Sequence, residues 1–239
     1  MHQFYTHYAL DSIDSTNEEA KRLIRQGGAE DKLIISAKSQ TNGHGRYGRA
    51  WESPSGNLYF SVLLKAEGGL QKSSQMSFVA AYALAELLAE LLPQKACLNY
   101  KWPNDILVDA EKISGILLES LDGWIIIGIG VNIKNYPENV AMPATSLEKC
   151  RCSDIFAEDV LDKFTYVFEK AHYFWKSKGF STIRDSLMNC AYRLDEEIKI
   201  NLENKTLQGV FKGINESGEL ELATDDGVKL ISSGEVFFS

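Results

Sequence analysis

From Lys32 to Trp51 the chain carries no aspartate or glutamate, yet Lys32, Lys38, Arg46 and Arg49 all fall there. The whole protein has a formal net charge of -8, so this local excess of cations suits a small anion. A basic face for a polyanion is not available, which disfavours general nucleic-acid binding. Inside the segment, Gly43-His44-Gly45-Arg46-Tyr47-Gly48 satisfies G-x-G-x-x-G after a strand-like run, Lys32 to Ala37. A dinucleotide fold needs the third glycine to open an amphipathic helix. Here Arg49-Ala50-Trp51-Glu52-Ser53-Pro54-Ser55-Gly56 follows, where no helix starts, and no G-K-Ser/Thr completes a Walker loop. What remains is a flexible glycine loop whose backbone approaches an anion closely. Its arginines are shaped to hold phosphate oxygens, and Trp51 offers a flat face to a ring. A surface loop with incidental charge explains this segment equally well on its own.

Three further segments offer chemistry. Lys101-Trp102-Pro103-Asn104-Asp105-Ile106 sets a cation, an indole and two short polar side chains at the end of a strand. Asn-Asp after proline is also ordinary turn chemistry. Lys112 begins another strand-like run with Gly115 inside it, and Gly128, Gly130 and Asn132 punctuate a third. Glycine within a strand weakens it and often marks close approach of a ligand or another backbone.

These segments must be held by definable elements. Ser15 to Arg25 is predicted as a helix, with Ser15 and Glu18 in a capping-box pattern. Leu58 to Leu64 alternates as a strand, and Gln75 to Leu92 is a helix stopped by Pro93. Leu98 to Trp102, Ile106 to Val108, Lys112 to Ser120 and Trp124 to Ile133 are strands joined by short turns. Such links force antiparallel pairing, which predicts an α+β or mixed sheet. Helices are expected over Ile155 to Lys178 and Phe180 to Ala191. Beyond Leu194 four or five short strands suggest a small SH3-like barrel. The expected domains are 1–190 and 191–239. The run from Trp124 to Ile133 is expected to be an exposed sheet edge, which leaves a homodimer open.

Hydrophobic residues make up 44% of the chain and charged residues 24%, a balance that predicts independent folding and excludes a disordered chain. No signal-like start or long apolar run is present, so a cytoplasmic protein without membrane partners is expected. Cys97, Cys150, Cys152 and Cys190 form no C-x-x-C pair, and with His2, His7, His44 and His172 they complete no zinc spacing. Buried or inert thiols are expected.

Read together, Ser15-Thr16-Asn17, Gln40 with Gly43 to Trp51, K-W-P-N-D-I from Lys101, K-I-S-G-I-L from Lys112 and G-I-G-V-N-I from Gly128 resemble the biotin protein ligase family in order and spacing. The resemblance implies a class II aminoacyl-tRNA synthetase-like mixed sheet with helices and a C-terminal SH3-like barrel. It further implies activation of biotin with ATP as biotinoyl-5'-AMP, aided by Mg2+, and transfer to a lysine of a biotin carboxyl carrier protein. By the same resemblance, Ser15, Thr16, Asn17, Gln40, Gly43 and His44 bind biotin, with Gly115, Gly128 and Gly130 opening room for its bicycle. Arg46 and Arg49 grip phosphates, Trp51 covers adenine, and Lys101, Asn104 and Asn132 complete the ATP site. Lys112, Arg46, Arg49 and Asp105 carry the catalytic roles. Asp105 is also a candidate metal ligand, although magnesium is expected mainly on phosphates.

The chain departs from the family in one loop residue, His44 standing where arginine is usual. Histidine titrates near about 6.5 and is mostly neutral at pH 7, so weaker retention of the adenylate is expected. The Ser15 block begins too early for a preceding helix-turn-helix repressor domain, so no operator binding is expected. Rival readings are a lipoate-protein ligase, a non-catalytic biotin- or nucleotide-binding module, and a peptide adaptor, the last lacking a conspicuous aromatic groove.

Overall fold

The computed structural model describes residues 4–138, 140–202 and 205–237. Strand β1 (Thr6–Ile13) leads through helix α1 (Thr16–Arg25) to β2 (Leu33–Gln40), and the two strands pair in parallel. After the glycine loop come β3 (Leu58–Lys65) and α2 (Gly69–Leu91). An antiparallel run follows: β4 (Leu98–Lys101), β5 (Asp105–Val108), β6 (Glu111–Leu121) and β7 (Trp124–Val131). Helices α3 (Ala157–Lys178) and α4 (Phe180–Asn189) complete this body. Its sheet order is β1-β2-β3-β7-β6-β5-β4, a mixed α+β arrangement.

Successive side chains on a strand point to opposite faces, and both faces here are covered. Ile34, Val62, Leu64, Ile125 and Ile127 join the large core under α2, α3 and α4. Leu33, Ile35, Leu63 and Ile126 face the other way and meet Ala20 and Ile24 of α1. Two-sided burial is why β2 and β7 read as nearly continuous apolar runs. Phe164 of α3 is fully buried, edge-on to Phe60 of β3 and stacked on Phe168 at 5.3 Å. Phe164→Ala should therefore destabilise the protein by about 3–5 kcal/mol, measurable as a lowered urea midpoint with an unchanged slope.

The C-terminal strands β8 (Glu197–Asn201), β9 (Thr206–Ile214), β10 (Leu220–Thr224), β11 (Gly227–Ile231) and β12 (Glu235–Phe237) form an antiparallel sheet in the order β11-β10-β9-β8-β12. It docks on the body through Trp102, whose indole N–H donates to the Gly218 carbonyl at 3.1 Å. Gln75 of α2 donates to the Glu216 carbonyl at 3.1 Å.

Several expectations need correction. Strand β7 is not an edge: it lies between β3 and β6, so it cannot supply the surface expected to pair with a second copy. The edges are β1, which lacks a regular alternation and was not anticipated, and β4. Ser15 caps α1 in extended conformation without a side-chain bond, and the capping box does not close: the Ser15 N–H donates to Asp14 Oδ1 at 2.7 Å while Glu18 accepts from Lys21 at 2.7 Å. Helix α2 starts six residues earlier than its apolar pattern. All four cysteines are free, although Cys97 is exposed. Among the described residues no helix is long and apolar enough to cross a membrane.

Candidate active site

On the α1 face of the sheet, β7 continues past Ile126 as Gly128 and Gly130, and there the helix cover ends. The register sets Gly128 between Ser61 on β3 and Leu117 on β6, and Gly130 between Tyr59 and Gly115. Asp105 of β5 pairs with Gly115. Above this floor lies a cavity of about 800 Å³, lined by the glycine loop, the 101–105 turn, Lys112, residues 140–144 and Gly234 and Val236 of the barrel.

Two of the chain's own side chains lie on the floor. A Cβ at Gly130 would come within 2.5 Å of the Trp51 indole and one at Gly115 within 2.9 Å of it, while one at Gly128 would meet Asn17 Oδ1 at 2.3 Å. The glycines therefore seat Trp51 and Asn17, and any ligand meets the floor through or beside them. Gly43 has a related duty, since a Cβ there would lie 2.6 Å from Ser53 Oγ and from the Trp51 carbonyl.

The loop is more ordered than a flexible one. Trp51 N–H donates to the Gly43 carbonyl at 2.9 Å, Gly45 N–H to the Arg49 carbonyl at 2.8 Å, and His44 bridges Ala50, which makes a small hairpin. Its tip, Arg46–Gly48, places Tyr47 at φ 56°. No helix follows Gly48, because Arg49 is extended. Arg46 Nη1 donates to the barrel's Gly234 carbonyl at 3.3 Å, and its guanidinium lies 5.1 Å from the Tyr47 ring centre.

Lys112 is fixed through its backbone. Its N–H donates to the Pro143 carbonyl at 2.7 Å and its carbonyl accepts from Thr145 at 2.9 Å. Asn132 Nδ2 donates to the Thr145 carbonyl at 3.0 Å and lies 3.5 Å from that of Lys112. Asn132 thus clamps the strand cation to the 143–145 segment, a backbone role that its expected place in a strand did not suggest. Asn104 Nδ2 likewise donates to the Ile116 carbonyl at 2.6 Å, and Lys101 Nζ reaches Met142 Sδ at 3.1 Å. Lys112 Nζ itself sits 2.7 Å from Asp105 Oδ1 and 5.2 Å from the Trp51 ring centre. The Asp105 contact is a close ion pair without the alignment of a hydrogen bond. Asp105 Oδ1 and Trp51 Nε1 are the two buried side-chain polar atoms, among the described residues, that lack a hydrogen-bond partner. Such groups are rare and call for an explanation; here an acceptor and a donor border one cavity.

At the other end Ser15, Thr16 and Asn17 are buried beside Gln40. Gln40 Oε1 accepts from Thr16 N–H at 2.9 Å, and Ser61 Oγ is 2.8 Å from Thr16 Oγ1 and 2.5 Å from Asn17 Oδ1. Asn17 Nδ2 donates to Glu119 Oε2 at 2.8 Å. Lys21 Nζ donates to both Glu119, at 2.9 Å, and Glu18, at 2.7 Å. Burial pushes the Glu119 carboxyl up, but the Lys21 ammonium and Asn17 amide outweigh it and hold the group below the usual carboxylate range. His44 Nε2 lies 3.9 Å from Glu18 Oε1.

The structure brings every anticipated residue except Gly43 to the cavity wall, Gly43 standing just behind Trp51. It adds residues that the sequence left unmarked: Met142, Pro143 and Ala144 as a wall, Gly234 and Val236 from the barrel, and Ser61, Lys21 and Glu119 behind the floor. Only the apolar stretch with Pro137 and Pro143 hinted at a wall.

The chain thus combines a mixed sheet and glycine floor with a cationic hairpin as roof, and residues 9–133 match the biotin/lipoate A/B protein ligase family. Residues 194–239 match the biotin protein ligase C-terminal domain. The chain is 35% identical to the biotin--[acetyl-CoA-carboxylase] ligase of Paracoccus denitrificans over 96% of its own length and 99% of that protein's. It is 31% identical to the bifunctional ligase/repressor BirA of Bacillus subtilis (strain 168), covering 95% of this chain and 72% of that one. The biotin protein ligase from Aquifex aeolicus in complex with biotin and ATP superposes with a TM-score of 0.83 at 30% identity, over 98% of both chains. The chain belongs to the biotin protein ligase family.

Proposed function

We propose that the cavity activates biotin with ATP and passes it, from the adenylate, to a lysine of a biotin carboxyl carrier protein. One observation carries this reading: the strand cation Lys112 and the cationic hairpin with Arg46 and Arg49 share a single cavity with the Ser15–Asn17 and Gln40 pocket. A carboxylate attacking an α-phosphate brings two anions together, so positioned positive charge supplies most of the acceleration. Lys112 bridges the biotin carboxylate and α-phosphate, while Arg46 and Arg49 hold phosphate oxygens. Trp51 moves from the floor to cover adenine, and Lys101 lies beside the phosphates. Ser15, Thr16, Asn17, Gln40 and the His44 backbone face the ureido ring. No enzyme nucleophile is required.

In the second step the carrier lysine's amine attacks the acyl carbon, AMP leaves, and Asp105 orients the amine. Magnesium takes oxygen ligands, commonly one or two carboxylates with substrate phosphates, and Asp105, whose Oδ1 is already ion-paired to Lys112 at 2.7 Å, is the candidate carboxylate for it while the phosphates supply most of the ligands. Bound there, it would neutralise phosphate charge. The Glu18-His44-Glu119 cluster fits less well, because Lys21 already bonds both carboxylates. We keep the domain boundary at 190/191, between the end of α4 at Asn189 and the start of β8 at Glu197. A cytoplasmic setting accords with the free thiols.

Mass spectrometry of a carrier domain incubated with the protein, ATP, magnesium and biotin should show a single biotinyl addition. Omitting ATP, or replacing biotin by lipoate, should abolish it; modification with lipoate alone would refute the assignment. His44→Arg should slow adenylate release about two- to fivefold by pairing with Glu18. Equal release rates in a pulse-chase experiment would refute that expectation.

A further inference from the structure

Glu119 does not line the cavity, yet it sits where two parts of the site meet. It faces Ile126 in the β6–β7 register, one step along the same face from the pair Leu117 and Gly128. Asn17 rests on Gly128 so closely that no other residue is admitted there without displacing its amide. That amide has few orientations open to it. It is 3% exposed, its Oδ1 lies against Ser61 Oγ, and its Nδ2 donates to Glu119 Oε2. The other carboxylate oxygen takes Lys21, which Glu18 shares, and Glu18 is the carboxylate that the hairpin's His44 approaches at 3.9 Å. An amide flip would set Asn17 Oδ1 against another acceptor oxygen, so the oxygen that Glu119 presents selects which end of Asn17 is presented to the cavity.

We propose that Glu119 is a positioning residue for biotin: through Asn17 it sets the hydrogen-bonding face offered to the ureido ring, and with Lys21 and Glu18 it holds the seat on which the glycine hairpin rests. The proposal builds on the biotin-ligase reading. It separates the acceptor that Asn17 needs from the charge that Lys21 needs. Glu119→Gln keeps a carbonyl oxygen for Asn17, whereas Glu119→Ala removes both functions.

Isothermal titration of the full-length protein with biotin, and separately with ATP, tests it alongside thermal unfolding. Glu119→Ala should raise the Kd for biotin about tenfold or more, the loss of one charge-assisted bond to a buried amide. Its Kd for ATP should stay within about twofold, and Glu119→Gln should recover biotin affinity to within about threefold of wild type. Wild-type biotin affinity in Glu119→Ala would overturn the proposal. So would parallel loss of biotin and ATP binding with a lowered Tm that Glu119→Gln does not repair, which would mark Glu119 as a fold residue. Absence of biotin binding by the wild-type protein would instead sink the ligase reading itself, together with the role built on it.

Discussion

Lys112→Ala is expected to lower biotin-dependent ATP–pyrophosphate exchange by about two to three orders of magnitude, the usual cost of removing one preorganised charge aimed at a developing anion. Lys112 is suited to that task because its backbone is clamped on both sides, by Pro143 and by Thr145, while its ammonium extends over the Trp51 ring. The change also strips Asp105 of its only close cation contact among the described ion pairs, leaving a largely buried carboxylate uncompensated. Lost folding must therefore be separated from lost chemistry. The double variant Lys112→Ala/Asp105→Asn removes the orphaned charge, and it should regain thermal stability without regaining exchange. Exchange at the wild-type rate in a folded Lys112→Ala protein would refute the catalytic role.

Arg46→Ala should reduce exchange by about a hundredfold and should also speed adenylate loss. The guanidinium sits at the tip of the hairpin, where it donates to the barrel's Gly234 carbonyl. It thus serves two links at once: it lines the cavity where the phosphates are proposed to lie and ties the roof to the C-terminal sheet. Arg46→Lys keeps the charge but not the paired donors, so it should restore exchange only in part. Since Arg46 packs in no core, the unfolding midpoint should move little. The readouts are pyrophosphate exchange at saturating biotin and the release rate of labelled adenylate. Unchanged values for both would remove Arg46 from the mechanism.

His44 and Glu119 illustrate how the two approaches complement each other. The residue type at position 44 stands out in the chain as histidine where arginine is usual in the family it resembles. What a cation there would pair with is visible only in the fold, which brings Glu18 of α1 and Glu119 of β6 to it. Glu119 itself reads as an ordinary polar position near the end of an amphipathic strand, and nothing in its neighbours marks it.

The sequence by itself determined the nature of most elements, the acid-free glycine loop, the lone strand cation and the family resemblance. Each of these rests on periodicity or spacing within a short window, where side-chain direction follows from local backbone geometry. Tertiary structure alone decided the strand order that buries β7 between β3 and β6. It also decided the seating of Trp51 and Asn17 on the glycine floor, and the reach of the barrel's Gly234 to Arg46. The reason is physical: pairing between strands is set by burying both faces of the sheet at once, a condition over residues far apart in the chain that no local pattern encodes.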